Sequence, residues 1–284
     1  MSKKITIRNS VKIIDNKYVI KKKKNDINNI YNYLLSRSFD YFPSVIKEEE
    51  DKIYYNYIDD VDEPSEQKIL DLLNLLSLLH NKTTIYKEVD LDYYKYIYES
   101  IIQKIDDVMN YYDSLMEYID SEVYMSPTNY LIARNISIIY GAIFYSKNSI
   151  DRWYKLVEDG RKIRLTTIHN SPKLDHYVKN EKSYLLSWDN SRVDMPIYDI
   201  IFLYKSHYLE FDFVSLLDDY FNKYPFSSSE MILFLCLLSI PDKIEYSGSQ
   251  YKTVISVRRI IDYIYKTNDI VSKYDIKLEK ESIK

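Results

Sequence analysis

Apolar residues recur along this chain at two spacings, and the change falls near residue 60. Before it, Lys4–Arg8, Ser10–Asp15 and Lys17–Lys22 alternate or are β-branched, with Asp15-Asn16 as a turn signal, which predicts a small antiparallel sheet. Asn25-Asp26 is suited to cap a helix through Ser38, whose Ile27, Ile30, Tyr31, Leu34 and Leu35 share one face. After Pro43, Val45–Lys47 and Lys52–Ile58 read as strands around the charged turn Glu48–Asp51. Asp59–Pro64 is an acidic connector.

Beyond the connector the spacing becomes helical. Ser65–Asn81 places Ile69, Leu72, Leu73, Leu76 and Leu79–His80 in one period. Val89–Ser121 predicts one long helix or two. Ser126–Tyr145 opens Ser-Pro-Thr, a helix start, and Ser149–Glu158 is a short helix ending near Gly160. Later helices are expected over Val214–Asn222, Ser229–Ile240 and Tyr251–Tyr274, the second introduced by Ser227–Ser229 and Glu230. The residues from Asp275 form a charged tail that is expected to fray. No heptad persists with charged flanks, so amphipathic core helices rather than a coiled coil are expected. The division read from the pattern is a small part, 1–62, a helical part with a central hairpin, 63–274, and the tail, 275–284.

The central stretch runs from Arg164 to Lys205. Arg164–Ile168 and Ser183–Trp188 read as the arms of a small hairpin flanking a polar loop, and Ile197–Tyr204 as a helix entered through Asp-Met-Pro. A polar loop on a rigid base is a common carrier of chemistry. This one holds His169, Asp175 and His176, with Asp189 just past the second arm.

Composition narrows the reading. The chain has 284 residues, 46% of them hydrophobic, enough for a sizeable core. Its 39 basic and 43 acidic residues give a charge of −4, which argues against a general nucleic-acid binder. One cysteine, Cys236, rules out a disulfide framework or a cysteine-rich zinc site, and its apolar surroundings read as core. Glycines stand only at 141, 160 and 248, so no glycine-rich phosphate loop exists. No secretory leader and no run of about 18 apolar residues is seen, so a cytoplasmic location without a membrane span is expected. The 32 tyrosines read as a compositional bias, most of them core or core edge.

The order of elements and the central motifs resemble the kinase-like fold of aminoglycoside phosphotransferases, choline kinases and the related spore-coat kinase-like proteins of bacteria. The shared features are Leu78-Leu79-His80 ending a helix, the loop His169-Asn170-Ser171 through His176, Leu186-Ser187-Trp188, and Asp194-Met195-Pro196-Ile197-Tyr198-Asp199 before an apolar helix. The resemblance implies an α+β, two-lobed protein-kinase-like fold, with a small β-rich lobe and a large, mainly helical one. It also implies that His169 supports the loop, that Asp199 accepts hydrogen bonds from the loop backbone, and that Lys21 stands where the family's phosphate-pairing lysine does. The helix after Lys21 offers no glutamate to pair with it.

The departures from the family concern the chemistry. The catalytic aspartate falls at Ser171, and the two metal ligands fall at His176 and Ser187. Phosphoryl transfer needs a carboxylate at the acceptor and metal ligands for Mg²⁺, and serine supplies neither. The expectation is a pseudokinase without cofactor, acting as a binding, regulatory or structural module for a protein partner, in the cytoplasm or in an assembly such as a spore coat. The alternative is a divergent small-molecule phosphotransferase using ATP and Mg²⁺, with Asp175 and Asp189 as shifted carboxylates. A transition-metal site on His169, His176 and Asp189 lacks a recognised spacing, so no metal is expected. His80 and His207 read as structural.

Overall fold

The computed structural model describes residues 5–8, 11–15, 17–23, 27–246 and 249–282. The predicted cap at Asn25-Asp26 and the Asn16 half of the first turn lie outside them. The described elements in chain order begin with β1 (Ile5–Arg8), β2 (Val11–Ile14), β3 (Tyr18–Lys22), α1 (Ile27–Ser36), β4 (Val45–Glu48), β5 (Lys52–Asn56) and α2 (Ser65–Thr83). They continue with β6 (Ile85–Glu88), α3 (Asp92–Ser121), α4 (Pro127–Val157), β7 (Lys162–Ile168), β8 (Tyr177–Lys179), β9 (Ser183–Leu185) and β10 (Arg192–Asp194). The last are α5 (Ile197–His207), α6 (Phe213–Lys223), α7 (Ser228–Ser239) and α8 (Gln250–Ser282). By its internal packing the chain divides into two units: residues 1–85, 164–206 and 218–224 form one, and 86–163, 207–217 and 225–284 the other. Neither is continuous in sequence, so α2 and the central stretch belong with the N-terminal strands rather than with the helices that separate them.

In the first unit the expected sheet is present, antiparallel, in the order β1-β2-β3-β5-β4. Helix α1 ends because Ser38 takes a left-handed conformation (φ 57°) and Phe39 N–H reaches back to Leu34 O at 2.9 Å, a turn that satisfies an otherwise unpaired carbonyl. Leu34, Phe39, Ile69, Leu72, Leu73, Leu76 and Trp188 are fully buried here. Phe39 and Phe42 meet the Trp188 ring edge-on, with centroids 6.0 and 6.3 Å away.

The central hairpin is corrected. Arg164–Ile168 and Ser183–Trp188 do not pair with each other. Strand β7 pairs with β10, Thr166 opposite Asp194 and Ile168 opposite Arg192, while β9 pairs with β8. Both partners are three-residue strands, too short to show a period. In the second unit, Ser126–Tyr145 and Ser149–Glu158 are one helix, α4. The polar break at Ser146–Ser149 does not interrupt it, because both serines are buried and Ser146 Oγ bonds to Ala142 O. Helix α8 also runs through the expected tail to Ser282, and it buries Tyr274 and Leu278. Packing of that face overrides the charge of the segment. Helix α7, capped by reciprocal Ser227–Glu230 bonds, is buried on nearly every side, and its Cys236 thiol is pushed well up by burial. At Gly160 a Cβ would meet the Tyr94 ring and Val157 O at 2.8 Å. No helix among the described residues is long and apolar enough to cross a membrane.

Candidate functional site

The residues singled out in the central stretch all fall in the first unit, as does Lys21. The loop leaves β7 at Ile168 and turns at Asn170, which is left-handed (φ 61°). Asp199, one turn into α5 and fully buried, holds that turn from beneath. Its Oδ2 accepts His169 N–H at 2.8 Å, and its Oδ1 accepts Asn170 N–H at 2.6 Å. His80 of α2, also fully buried, bonds the same Oδ2 through Nε2 at 3.1 Å and takes the Tyr220 hydroxyl on Nδ1 at 2.6 Å. Three donors thus converge on one buried carboxyl group.

His169 is buried against Trp188, with ring centroids 5.1 Å apart, and its Nε2 bonds Leu186 O at 2.7 Å. The carbonyl accepts, so Nε2 carries the proton and Nδ1 is a bare acceptor; it is buried without a partner among the described residues. Burial is the main cause that holds His169 below its usual pKa and keeps the ring neutral. His176 is lowered too, by burial first, and its Nδ1 donates to Ser171 O at 2.8 Å. Ser171, at the position of the expected catalytic aspartate, is buried, and its hydroxyl has no partner among the described residues. Asp175 lies exposed on the short 3-10 turn Leu174–His176.

Ser187 and Asp189 flank Trp188 in the chain. Ser187 is left-handed (φ 64°), which turns the chain so that Asp189 comes up to Lys21 of β3. Lys21 Nζ makes an ion pair with Asp189 Oδ2 and lies 3.4 Å from Ser187 Oγ. Both partners are largely shielded, with side chains 18% and 12% exposed, so removing either one costs more than at a surface pair. Two tyrosines that the sequence did not single out complete the surroundings. Burial first pushes the hydroxyls of Tyr31 on α1 and Tyr55 on β5 far up; Tyr55 and Asp189 add to the rise at Tyr31, and Asp189 and Glu48 to that at Tyr55, where the hydrogen bond with Tyr31 acts the other way. No local signal marks these two, because the spacing that finds them as core does not say what they face.

The acidic connector is also tied down here. Lys179 of β8 pairs with Asp71 at 2.5 Å and with Glu63 at 3.0 Å, and its backbone N–H donates to Asp60 Oδ1 at 3.0 Å. Val61 N–H in turn bonds Lys179 O at 2.8 Å. Burial, the largest single cause, raises the Asp71 carboxyl, but the bonds from Lys179, Gln67 and Tyr177 and the Lys179 charge together outweigh it and leave it below the usual range. The structure thus brings together His169, Ser171 and His176, and pairs Lys21 with Asp189 beside Ser187; the Lys21 charge acts on both histidines, and exposed Asp175 acts on His176. Among the described residues, no three His, Cys, Asp or Glu side chains are placed to hold a metal.

No protein-family model matches the sequence, and no curated protein does. Solved structures do match. An aminoglycoside phosphotransferase from Alicyclobacillus acidocaldarius aligns over 98% of this chain and 92% of its own, with TM-score 0.69 and 9% identity. A spectinomycin phosphotransferase bound to AMP aligns over 90% of each chain, with TM-score 0.54 and 12% identity. In complex with ADP and spectinomycin that enzyme aligns over 94% of this chain and 93% of its own, with TM-score 0.50 and 10% identity. At these identities the likeness defines the fold: the chain has the α+β, two-lobed kinase-like fold of the aminoglycoside phosphotransferase group.

Proposed function

We infer that the chain is a kinase-like protein that does not transfer phosphoryl groups and serves as a binding, regulatory or structural module. The observation that carries the reading is the Lys21–Asp189 pair: the carboxylate that the lysine faces is already engaged by it. Serines stand where the resemblance expects the catalytic aspartate and a metal ligand. A serine hydroxyl is neutral and is a poor partner for a hard cation. His176, at the other metal position, has Nδ1 committed to Ser171 O. The residues present do not fit a magnesium nucleotide, and the module is proposed to work without one. Its partner is a protein, met in the cytoplasm or in an assembly of the spore-coat kind.

One observation favours the alternative of a divergent ATP-dependent phosphotransferase. Asp189 lies beside Ser187 and Lys21, so a polyphosphate that drew Lys21 away would release a carboxylate for Mg²⁺. The decisive experiment measures transfer from ATP and Mg²⁺ to choline, aminoglycosides and protein substrates, alongside melting at millimolar ATP. The inactive reading expects no turnover and no rise in melting temperature. Turnover abolished by Asp175→Ala or Asp189→Ala would overturn it.

A further inference from the structure

The end of the α3–α4 hairpin, in the second unit, carries a surface that the loop chemistry does not use. Between Lys104 and Arg134 there is no basic residue, whereas Asp106, Asp107, Asp113, Glu117, Asp120 and Glu122 are acidic. Large apolar side chains stand exposed in the same stretch: Tyr118 at 56%, Val123 at 87%, Tyr124 at 90%, Met125 at 45% and Tyr130 at 59%. Single exposed apolar residues need no explanation, but a run of them at one hairpin end does.

A groove of about 370 Å³ adjoins the run, lined by Tyr111, Ser114, Leu115 and Tyr118 on one face of α3 and by Tyr246 from the segment before α8. Its polar groups are held in place. The Tyr118 hydroxyl donates to Glu122 Oε1 at 3.1 Å, and Asn129 Nδ2 donates to Glu122 Oε2 at 2.7 Å. The Tyr246 hydroxyl donates to Asn129 Oδ1 at 3.0 Å, and Asn129 itself is buried. Glu122 is thereby fixed at the margin of the groove. Burial first, and then Tyr111, Tyr118 and Glu122, push the Tyr246 hydroxyl up to about 12, so these groups converge. The chain's own Lys243 places its Nζ 5.6 Å from the centre of the Tyr111 ring, which shows that a ring of this groove accepts a cation.

We propose that this surface binds a lysine- or arginine-rich segment of a protein partner. Tyrosine and methionine are enriched at protein interfaces, and carboxylates around them select basic chains and repel nucleic acid and anionic lipid. The proposal names the partner chemistry for the binding role inferred above, on a different unit from the loop, so ATP turnover and peptide binding can fail independently.

The test uses the full chain and a short fluorescein-labelled peptide of alternating Arg and Leu, read by fluorescence anisotropy. An acidic peptide of alternating Glu and Leu serves as control, and vesicles of phosphatidylcholine are tested in parallel. The basic peptide binds, more weakly as salt rises. Tyr124→Ala and Tyr118→Ala, both at exposed positions, each weaken it about tenfold, and Glu122→Gln weakens it while the circular dichroism spectrum stays that of the parent. No binding of the basic peptide, equal binding of the acidic one, or affinity unchanged by both tyrosine variants overturns the proposal. So does vesicle binding that Tyr124→Ala abolishes, because it would make the surface a lipid-inserting loop.

Discussion

Asp199→Ala should destabilise the protein by about 4 kcal/mol. The carboxylate accepts from His169 N, Asn170 N and His80 Nε2, all in a fully buried site. Alanine leaves three donors without a partner, at about 1–3 kcal/mol each. The variant no longer incurs the cost of desolvating a carboxylate on folding, which offsets part of this, and one-sided removals at buried charges cost about 3–5 kcal/mol net. For a cooperative unit of this size that corresponds to a fall in melting temperature of roughly 8–16 °C, at about 2–4 °C per kcal/mol. Asp199→Asn keeps one acceptor oxygen, and the His80 tautomer can adjust to the new amide, so about half that loss is expected. The assay is thermal melting followed by circular dichroism and checked by urea unfolding. Asp175→Ala, on an exposed turn, is the control and should lie within about 0.5 kcal/mol of the parent. If Asp199→Ala melts within about 2 °C of the parent, the buried carboxylate does not organise the loop and the reasoning fails.

Lys21→Met and Asp189→Asn should each cost about 2–3 kcal/mol, and a double-mutant cycle in urea should show more than about 1 kcal/mol of coupling; additive losses would refute a shielded pair. Stability should fall as the pH drops below about 6.5 and should be level with respect to these groups above it. His169 and His176 have folded-state pKa values below their unfolded value of 6.5, so the unfolded chain takes up protons first. Urea midpoints at several pH values would show this, with a shallower slope in His169→Gln, and a midpoint that rises on acidification contradicts it. Ser187→Val should cost about 2 kcal/mol and Ser187→Gly almost nothing, because a φ of 64° strains a β-branched residue and not glycine; equal melting temperatures for the two variants count against the turn.

The order of the long elements was legible in the sequence because it is local. A strand alternates every second residue and a helix every third or fourth, and the motifs from His169 to Asp199 hold their spacing on one stretch of chain. Three kinds of misreading have a common source. The central hairpin paired the wrong arms because β8 and β10 are three residues long. The break in α4 and the frayed tail were placed where polar residues cluster, yet both segments are helical because one face is packed by other elements.

The chain alone thus determined which residues stand on the loop, Ser171 and His176 among them, and that Ser187 and Asp189 flank Trp188. Only the tertiary structure decided that Asp189 is engaged by Lys21, which lies 168 residues before it, and that His80, Tyr220 and Asp199 form one buried hydrogen-bonded series. The physical reason is distance along the chain. Periodicity and capping act over a few residues, whereas the partner of a buried charge is set by how strands and helices close over it.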